Sequence, residues 1–219
     1  TNEISALYVN DVVAGGGAAA AGIKSGDIIK KVDGIVINDS PDLQERIAES
    51  ILTSLQETAP KVLADDFDYE AAGNFMWCCT MALNGLIQKG VITDWAVHAI
   101  GHELTAYYGI DHARTLAVIA PSHYRYNFDD KKGKLAQYAE RVWGIKDGTI
   151  EEKAELGIKK MEEFFHSLHI KTKLSEYTED FKGTAERVEK AFTERNWLGL
   201  GEYRKLTPQD AYKIVEMSY

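Results

Sequence analysis

From Pro41 onward, apolar side chains recur at helical spacing. Leu43, Ile47, Ile51, Leu52 and Leu55 fall along one side of a stretch that has no Gly or Pro run between Pro41 and Thr58. One amphipathic helix is therefore predicted there, with Ser40-Pro41-Asp42 at its start and Ser40 or Asp42 near the N-terminus. Further helices are predicted over Tyr69 to Lys89, with Met76, Leu83, Leu86 and Ile87 on one side and an end at Gly90, and over Lys134 to Trp143, ended by Gly144. Glu151 to Leu168 alternates Glu and Lys on its outer face with Ile158, Met161, Phe164 and Phe165 inward, and helices over Thr184 to Arg195 and Thr207 to Met217 follow. Ahead of Pro41 the pattern is different. Alternating and β-branched residues in Leu7 to Val13 and Ile28 to Val32 predict two strands around a short alanine-rich helical turn ended by Gly22, with a further turn at Asp33-Gly34. Gly15, Gly16 and Gly17 read as a flexible turn, and Gly26 and Gly34 as positions of positive φ, with the strands covering an apolar helix face. The expected fold is mostly α, with a small N-terminal α+β fragment.

The chemistry concentrates in Asp94 to His112, which holds three of the six histidines. His98 and His102 stand four residues apart and share one face of a helix, and His112 returns after a break at Gly109 on the next helix. Imidazoles suit zinc or iron, and three nitrogens nearly complete a first coordination shell. His102-Glu103-Leu104-Thr105 begins like the zinc-protease HExxH pattern, but Ala106 stands where the second histidine is required, so the peptidase reading fails. Asp94 reads as an N-cap for a helix beginning at Trp95. His166 and His169 lie near a helix C-terminus, where a partly cationic imidazole is favoured, and His123 after Pro121 is expected at the surface or in a subunit contact. Trp95, Tyr107, Tyr108, Trp143 and Trp197 read as core fill. Cys78 and Cys79 are adjacent and read as packing thiols of a reducing compartment.

His98-Ala-Ile-Gly-His102-Glu-Leu-Thr-Ala, Gly109-Ile-Asp-His112-Ala and Thr115-Leu-Ala-Val-Ile-Ala-Pro121 resemble the signature of the iron-containing (group III) alcohol dehydrogenases, nearest the NADPH-dependent butanol dehydrogenase and aldehyde reductase branch. The resemblance spans residues 46–219 and implies an all-helical C-terminal dehydrogenase domain. It implies that His98 and His112 are two of the family's four metal ligands, the metal being divalent iron or zinc. It also implies that His102 is a catalytic histidine near the nicotinamide and the reacting carbon. The family draws its other two ligands, an Asp and a His four residues later, from a preceding helix that has no counterpart here. Its α/β dinucleotide-binding domain is also without a counterpart, since no G-x-G-x-x-G follows a strand in a βαβ setting. NADP is thus a cofactor of the full-length family, with no obvious seat in this chain.

Residues 1–45 carry a second resemblance. Ala18 to Gly34, with Ala21-Gly22-Ile23, Gly26-Asp27-x-Ile29 and Val32-Asp33-Gly34, resembles the core of a PDZ domain of the Deg/HtrA serine-protease type. Such a domain binds a peptide as an added strand, with the peptide's terminal carboxylate held in a nest of backbone N–H groups. The loop expected before Ala6 and the closing strands expected after Pro41 to Ile47 have no counterpart, which argues against intact peptide binding. The two segments meet without a linker, so a fusion is expected in which one helix crosses the junction.

Composition narrows the remaining classes. In 219 residues with 45% hydrophobic content there is ample material for a core, and a net charge of −9 disfavours nucleic acid and anionic membranes as partners. The longest apolar runs are too short to span a bilayer and no signal peptide is recognised, so the cytoplasm is the expected location. The competing functions are therefore a metal-dependent, NAD(P)H-linked oxidoreductase acting on a small alcohol or aldehyde if the site is completed, inactive as residues 1–219 alone; a PDZ-type peptide-binding module on a helical scaffold; and a helical remnant that forms a homo-oligomer through apolar surface.

Overall fold

A computed structural model describes residues 7–32 and 34–219. Its N-terminal part holds two small antiparallel hairpins. β1 (Leu7–Tyr8) pairs with β2 (Ile28–Ile29) in the register Leu7 to Ile29, around the short helix α1 (Gly17–Ala20), and β3 (Lys31–Val32) pairs with β4 (Ile35–Val36). The strand predicted over Leu7 to Val13 is thus much shorter, because the polar residues beyond Val9 make hydrogen bonds other than those of a ladder. Asp11 Oδ1 accepts from the Val12 N–H at 2.8 Å and the Ser25 hydroxyl donates to the Asn10 carbonyl at 2.7 Å. Gly26 and Gly34 adopt positive φ as expected, and so does Gly22, while Ala6 and Asp33 lie outside the described residues. Ile37 is buried, but Tyr8, Ile28, Ile35 and Val36 remain 41–63% exposed, so these strands do not cover a helix face.

The long helix crossing the junction is present as α2 (Ser40–Val62). Its cap is Asp39, whose side chain accepts from the Asp42 N–H at 2.9 Å, one residue earlier than the sequence suggested. Next come α3 (Tyr69–Leu83) and a 3-10 turn at Leu86–Gln88. The helix predicted over Tyr69 to Lys89 stops early because Gly85 takes φ +86°, outside the helical region. Then follow α4 (Ala96–Tyr108), α5 (His112–Tyr126), α6 (Phe128–Trp143), α7 (Ile150–Ser167), α8 (Thr184–Glu194) and α9 (Pro208–Met217). Reciprocal capping boxes, Thr149 with Glu152 and Thr207 with Asp210, fix the starts of α7 and α9.

The main core lies between α4, α5, α8 and α9. Ile100, Leu104, Val118, Ile119, Val188, Phe192, Ile214 and Val215 are all fully buried there. A smaller core joins Leu135 and Ala136 of α6 to Ala154 and Ile158 of α7. Those two helices approach closely because Gly157 has no side chain: a Cβ there would lie 3.1 Å from both Ala139 Cβ and the Leu135 carbonyl oxygen. α2 is held to α6 by polar contacts, Gln137 Nε2 donating at 2.8 Å to both Glu45 and Glu49, and Arg141 pairing with Glu49 at 3.0 Å.

The apolar side of α3 faces outward. Tyr69, Met76, Trp77 and Leu83 are 64–80% exposed, as is Phe67 just before the helix. Trp95, Tyr107 and Trp197, read from sequence as core fill, are also 37–48% exposed, whereas Cys78 is buried and Cys79 exposed.

Candidate metal centre

α4 and α5 form a tight helical hairpin, and the three histidines meet along its seam. α4 ends at Gly109, whose φ of +67° reverses the chain, so that His112 becomes the first residue of α5. The helices can approach because Gly101 lies between His98 and His102. A Cβ at Gly101 would stand 3.1 Å from Leu116 Cδ2 and Thr115 Oγ1 and 3.6 Å from His112 Cε1. Thr115, fully buried, donates to the His112 carbonyl at 2.8 Å and bonds Thr105 Oγ1 of α4 at 3.2 Å, which pins the first turn of α5 in place. The sequence reading missed Gly101 and Thr115. Their small size, beside histidines at i, i+4, was the available signal.

One nitrogen from each of His98, His102 and His112 lies within 4.8 Å of the others, and among the described residues this is the group able to hold a metal ion. His98 Nδ1 is 3.1 Å from His112 Nε2. The His102 and His112 rings stack at 4.1 Å with an interplanar angle of 11°, and the Trp95 ring lies 5.0 Å from that of His98. His98 and His112 are half-buried, and His102 is exposed. Burial lowers the pKa of His98, and the His102 charge adds to this; burial likewise lowers His112, followed by the charges of His102 and His98. Both shifts favour the neutral imidazole, the form that binds a metal.

The other titratable groups lie elsewhere. His123, expected at the surface or in a subunit contact, is 1% exposed, with Nε2 3.2 Å from Asp94 Oδ2. That carboxylate also accepts from Lys131 Nζ at 2.8 Å, and Asp94 Oδ1 accepts from the Ala96 N–H at 2.9 Å. The N-cap of α4, which begins at Ala96, is therefore Trp95 and not Asp94 as the sequence suggested; Asp94 lies one residue before it, accepts from the first helical N–H, and ties α4 to α5 and α6. Burial opposes ionisation of this carboxyl, but hydrogen bonds from His123, Lys131 and the Ala96 N–H outweigh it and hold Asp94 well below the usual carboxylate range. His166, in the last turn of α7, bonds Thr172 Oγ1 at 2.9 Å, and His169 takes φ +59° just beyond it.

Comparison with known proteins gives this hairpin its context. The profile of the Fe-containing alcohol dehydrogenase family, C-terminal, matches residues 32–219, and that of the PDZ domain matches residues 1–52. The chain is 42% identical over 174 residues to the NADPH-dependent aldehyde reductase YqhD of Escherichia coli K12, covering 80% of this chain and 45% of that protein. It is 35% identical over 179 residues to the NADH-dependent butanol dehydrogenase A of Clostridium acetobutylicum, covering 81% and 46%. The crystal structure of E. coli K-12 YqhD superposes with a TM-score of 0.78 at 41% identity, over 81% of this chain and 45% of that one. The chain thus spans about half the length of the curated relatives it matches. Carrying the family profile over most of its length, with the same helical architecture, this chain belongs to the Fe-containing alcohol dehydrogenase family, in its C-terminal part.

Proposed function

We propose that this chain is the metal-holding half of an NAD(P)H-linked alcohol or aldehyde oxidoreductase, fused at residues 1–45 to a PDZ-like segment, and that residues 1–219 do not turn over substrate alone. The observation that carries it is the convergence of three imidazoles in a hairpin matched by the alcohol dehydrogenase profile. The donor set fits the divalent metal that the family name implies. Two half-buried imidazoles, whose pKa values burial lowers, stand 3.1 Å apart at their facing nitrogens, close to the roughly 3.3 Å expected of two nitrogens on one tetrahedral ion at about 2.0–2.1 Å. When bound, the metal supplies Lewis acidity to a substrate oxygen and a reduced nicotinamide supplies hydride to its carbon. His98 and His112 would hold the metal, iron or zinc. His102, exposed and stacked on His112, would carry the proton that the substrate oxygen gains on reduction. Small aldehydes of the butanal class are the proposed substrates, given the names of the relatives.

The test is NADPH oxidation with butanal, by the chain alone and after co-expression with the portion of E. coli YqhD that the match leaves uncovered. The expected result is no turnover alone, and turnover in the pair that disappears in His98→Ala. Turnover by the isolated chain would overturn the proposed inactivity. A stable pair without turnover would overturn the oxidoreductase assignment. Among the described residues no helix is long and apolar enough to cross a membrane, and a cytoplasmic location and a homo-oligomeric state are part of the proposal. The alternative of peptide binding draws on the PDZ match to residues 1–52. A flat titration with peptides ending in apolar residues would remove it.

A further inference from the structure

We propose that the outward face of α3 is a self-association surface, on which two copies of this chain meet through antiparallel α3 helices about a two-fold axis near Met76. This assigns a surface to the homo-oligomeric state put forward above, on which it rests, and draws on no part of the metal chemistry. Tyr69, Met76 and Leu83 follow one another at seven-residue intervals, with Gly73 and Thr80 four residues after the first two, so all five lie within an arc of about 80° around the helix. α3 turns Ala71 and Cys78 inward and these five outward. Trp77 flanks the stripe, and the Phe67 ring, 6.5 Å from that of Tyr69 in an edge-on contact, extends it beyond the helix start.

Area and charge select a second copy as the occupant. Phe67, Tyr69, Met76, Trp77 and Leu83 are 64–80% exposed, and at about 200 Å² for a side chain of this size they present roughly 700 Å². That exceeds the roughly 300–600 Å² of the largest patch on a typical monomer and approaches the about 800 Å² per partner that a stable complex covers, so pairing this one face with itself suffices. The charges then fix the orientation. Asp65, Asp66, Asp68 and Glu70 crowd the start of α3, the rest of the helix carries no charged residue, and Lys89 lies beyond its end. A parallel pair would set the carboxylates of both copies side by side. An antiparallel pair lays each acidic end beside Lys89 of the other copy and each helix N-terminus beside the other's C-terminus. Tyr69 then stands opposite Leu83, Gly73 opposite Thr80, and Met76 near its own copy.

Gly73 fits the same geometry. Glycine is disfavoured inside a helix relative to alanine. At Gly101 and Gly157 an added Cβ would lie 3.1 Å from neighbouring atoms, but at Gly73 it would meet nothing within 4 Å among the described residues. No contact within the chain calls for a glycine there, whereas Gly73 opposite Thr80 lets two helix axes approach toward the short end of the usual roughly 8–10 Å.

The experiment is sedimentation equilibrium of the full chain across a wide concentration range, with far-ultraviolet dichroism to establish that each variant is folded. A monomer–dimer equilibrium is expected. Gly73→Leu puts a better helix former into space that is open within the chain, so helicity should be kept while the dimer weakens at least about tenfold. Orientation is read with a short bismaleimide linker in a Cys79→Ser background, which removes the exposed native thiol. A mixture of Gly73→Cys and Thr80→Cys chains should give the mixed cross-link in excess of either self-linked product. A monomer at every concentration, a dimer that Gly73→Leu leaves unchanged, or a predominance of self-linked products would each overturn the proposal. A monomer whose apolar-dye binding is lost on adding the portion of E. coli YqhD that the match leaves uncovered would give this face to that portion instead. None of these results decides the oxidoreductase proposal, which stands or falls on turnover in the paired halves.

Discussion

Replacing Asp94 perturbs the point where three helices are tied together. Its carboxylate receives the Ala96 N–H at 2.9 Å, Lys131 at 2.8 Å and His123 at 3.2 Å, and the Asp94, Lys131 and His123 side chains are only 18%, 14% and 1% exposed. Removing one partner of a fully buried ion pair costs about 3–5 kcal/mol, and the residual exposure here reduces that to about 2–3 kcal/mol for Asp94→Ala. In a domain of this length that corresponds to a fall in Tm of roughly 4–12 °C. Among the described residues Lys131 then retains only Glu202, at 3.5 Å, so Lys131→Met in the Asp94→Ala background should recover part of the loss, with a coupling energy of about 1 kcal/mol or more. Urea unfolding followed by circular dichroism measures both. The pH dependence has a defined sign: the folded pKa of Asp94 lies below its ordinary 3.8, so its contribution is complete above about pH 4 and is lost as pH falls through the folded value. The gap between parent and Asp94→Ala should therefore narrow as pH falls below about 4. A destabilisation under about 0.5 kcal/mol at neutral pH, or a gap that does not narrow in acid, would refute the reasoning.

Three further outcomes are expected. Gly157→Ala gains up to about 1 kcal/mol in helix propensity but forces a methyl against the Leu135 backbone carbonyl at 3.1 Å; overpacking of about 1–3 kcal/mol should win, and a raised Tm would count against this account of the contact between α6 and α7. Phe192→Ala, at a fully buried site against Trp197, should lower unfolding free energy by about 3–5 kcal/mol in the same urea assay, and a loss below about 1 kcal/mol would contradict its place in the core. Met76→Glu with Trp77→Glu, at positions 70% and 64% exposed, should lower apolar-dye fluorescence and concentration-dependent association without a loss of helicity, and unchanged dye binding would place the responsible surface elsewhere.

What could be read from the residues was mostly local. The i, i+4 spacing of His98 and His102 and the break at Gly109 sufficed to anticipate that His112 returns to the same seam, because helical periodicity and a left-handed glycine are properties of neighbouring residues. Helix ends at Gly144 and near Thr207 were legible for the same reason. His123 was not: the Asp94 that receives it lies 29 residues away, and only the packing of α4 against α5 brings the two together. Asp39, Ser40 and Asp42 are all capping side chains within four residues, so chemistry alone did not choose between them. The exposure of Trp95, Tyr107 and Trp197 was equally hidden, since aromatic residues fill cores more often than they stand outside them.

α2 runs unbroken from Ser40 to Val62, with Glu45 and Glu49 anchored on α6. The N-terminal hairpins are therefore mounted like a pointer on a shaft, and their bearing is set by a residue count. Each residue added or removed between Asp42 and Glu45 would swing them about 100° around the helix axis and slide them about 1.5 Å along it, while everything beyond Glu45 keeps its place. Chains that differ by a single residue at that junction would present the same strands toward different neighbours, which makes its length, more than its composition, the variable that sets what the N-terminal segment can reach.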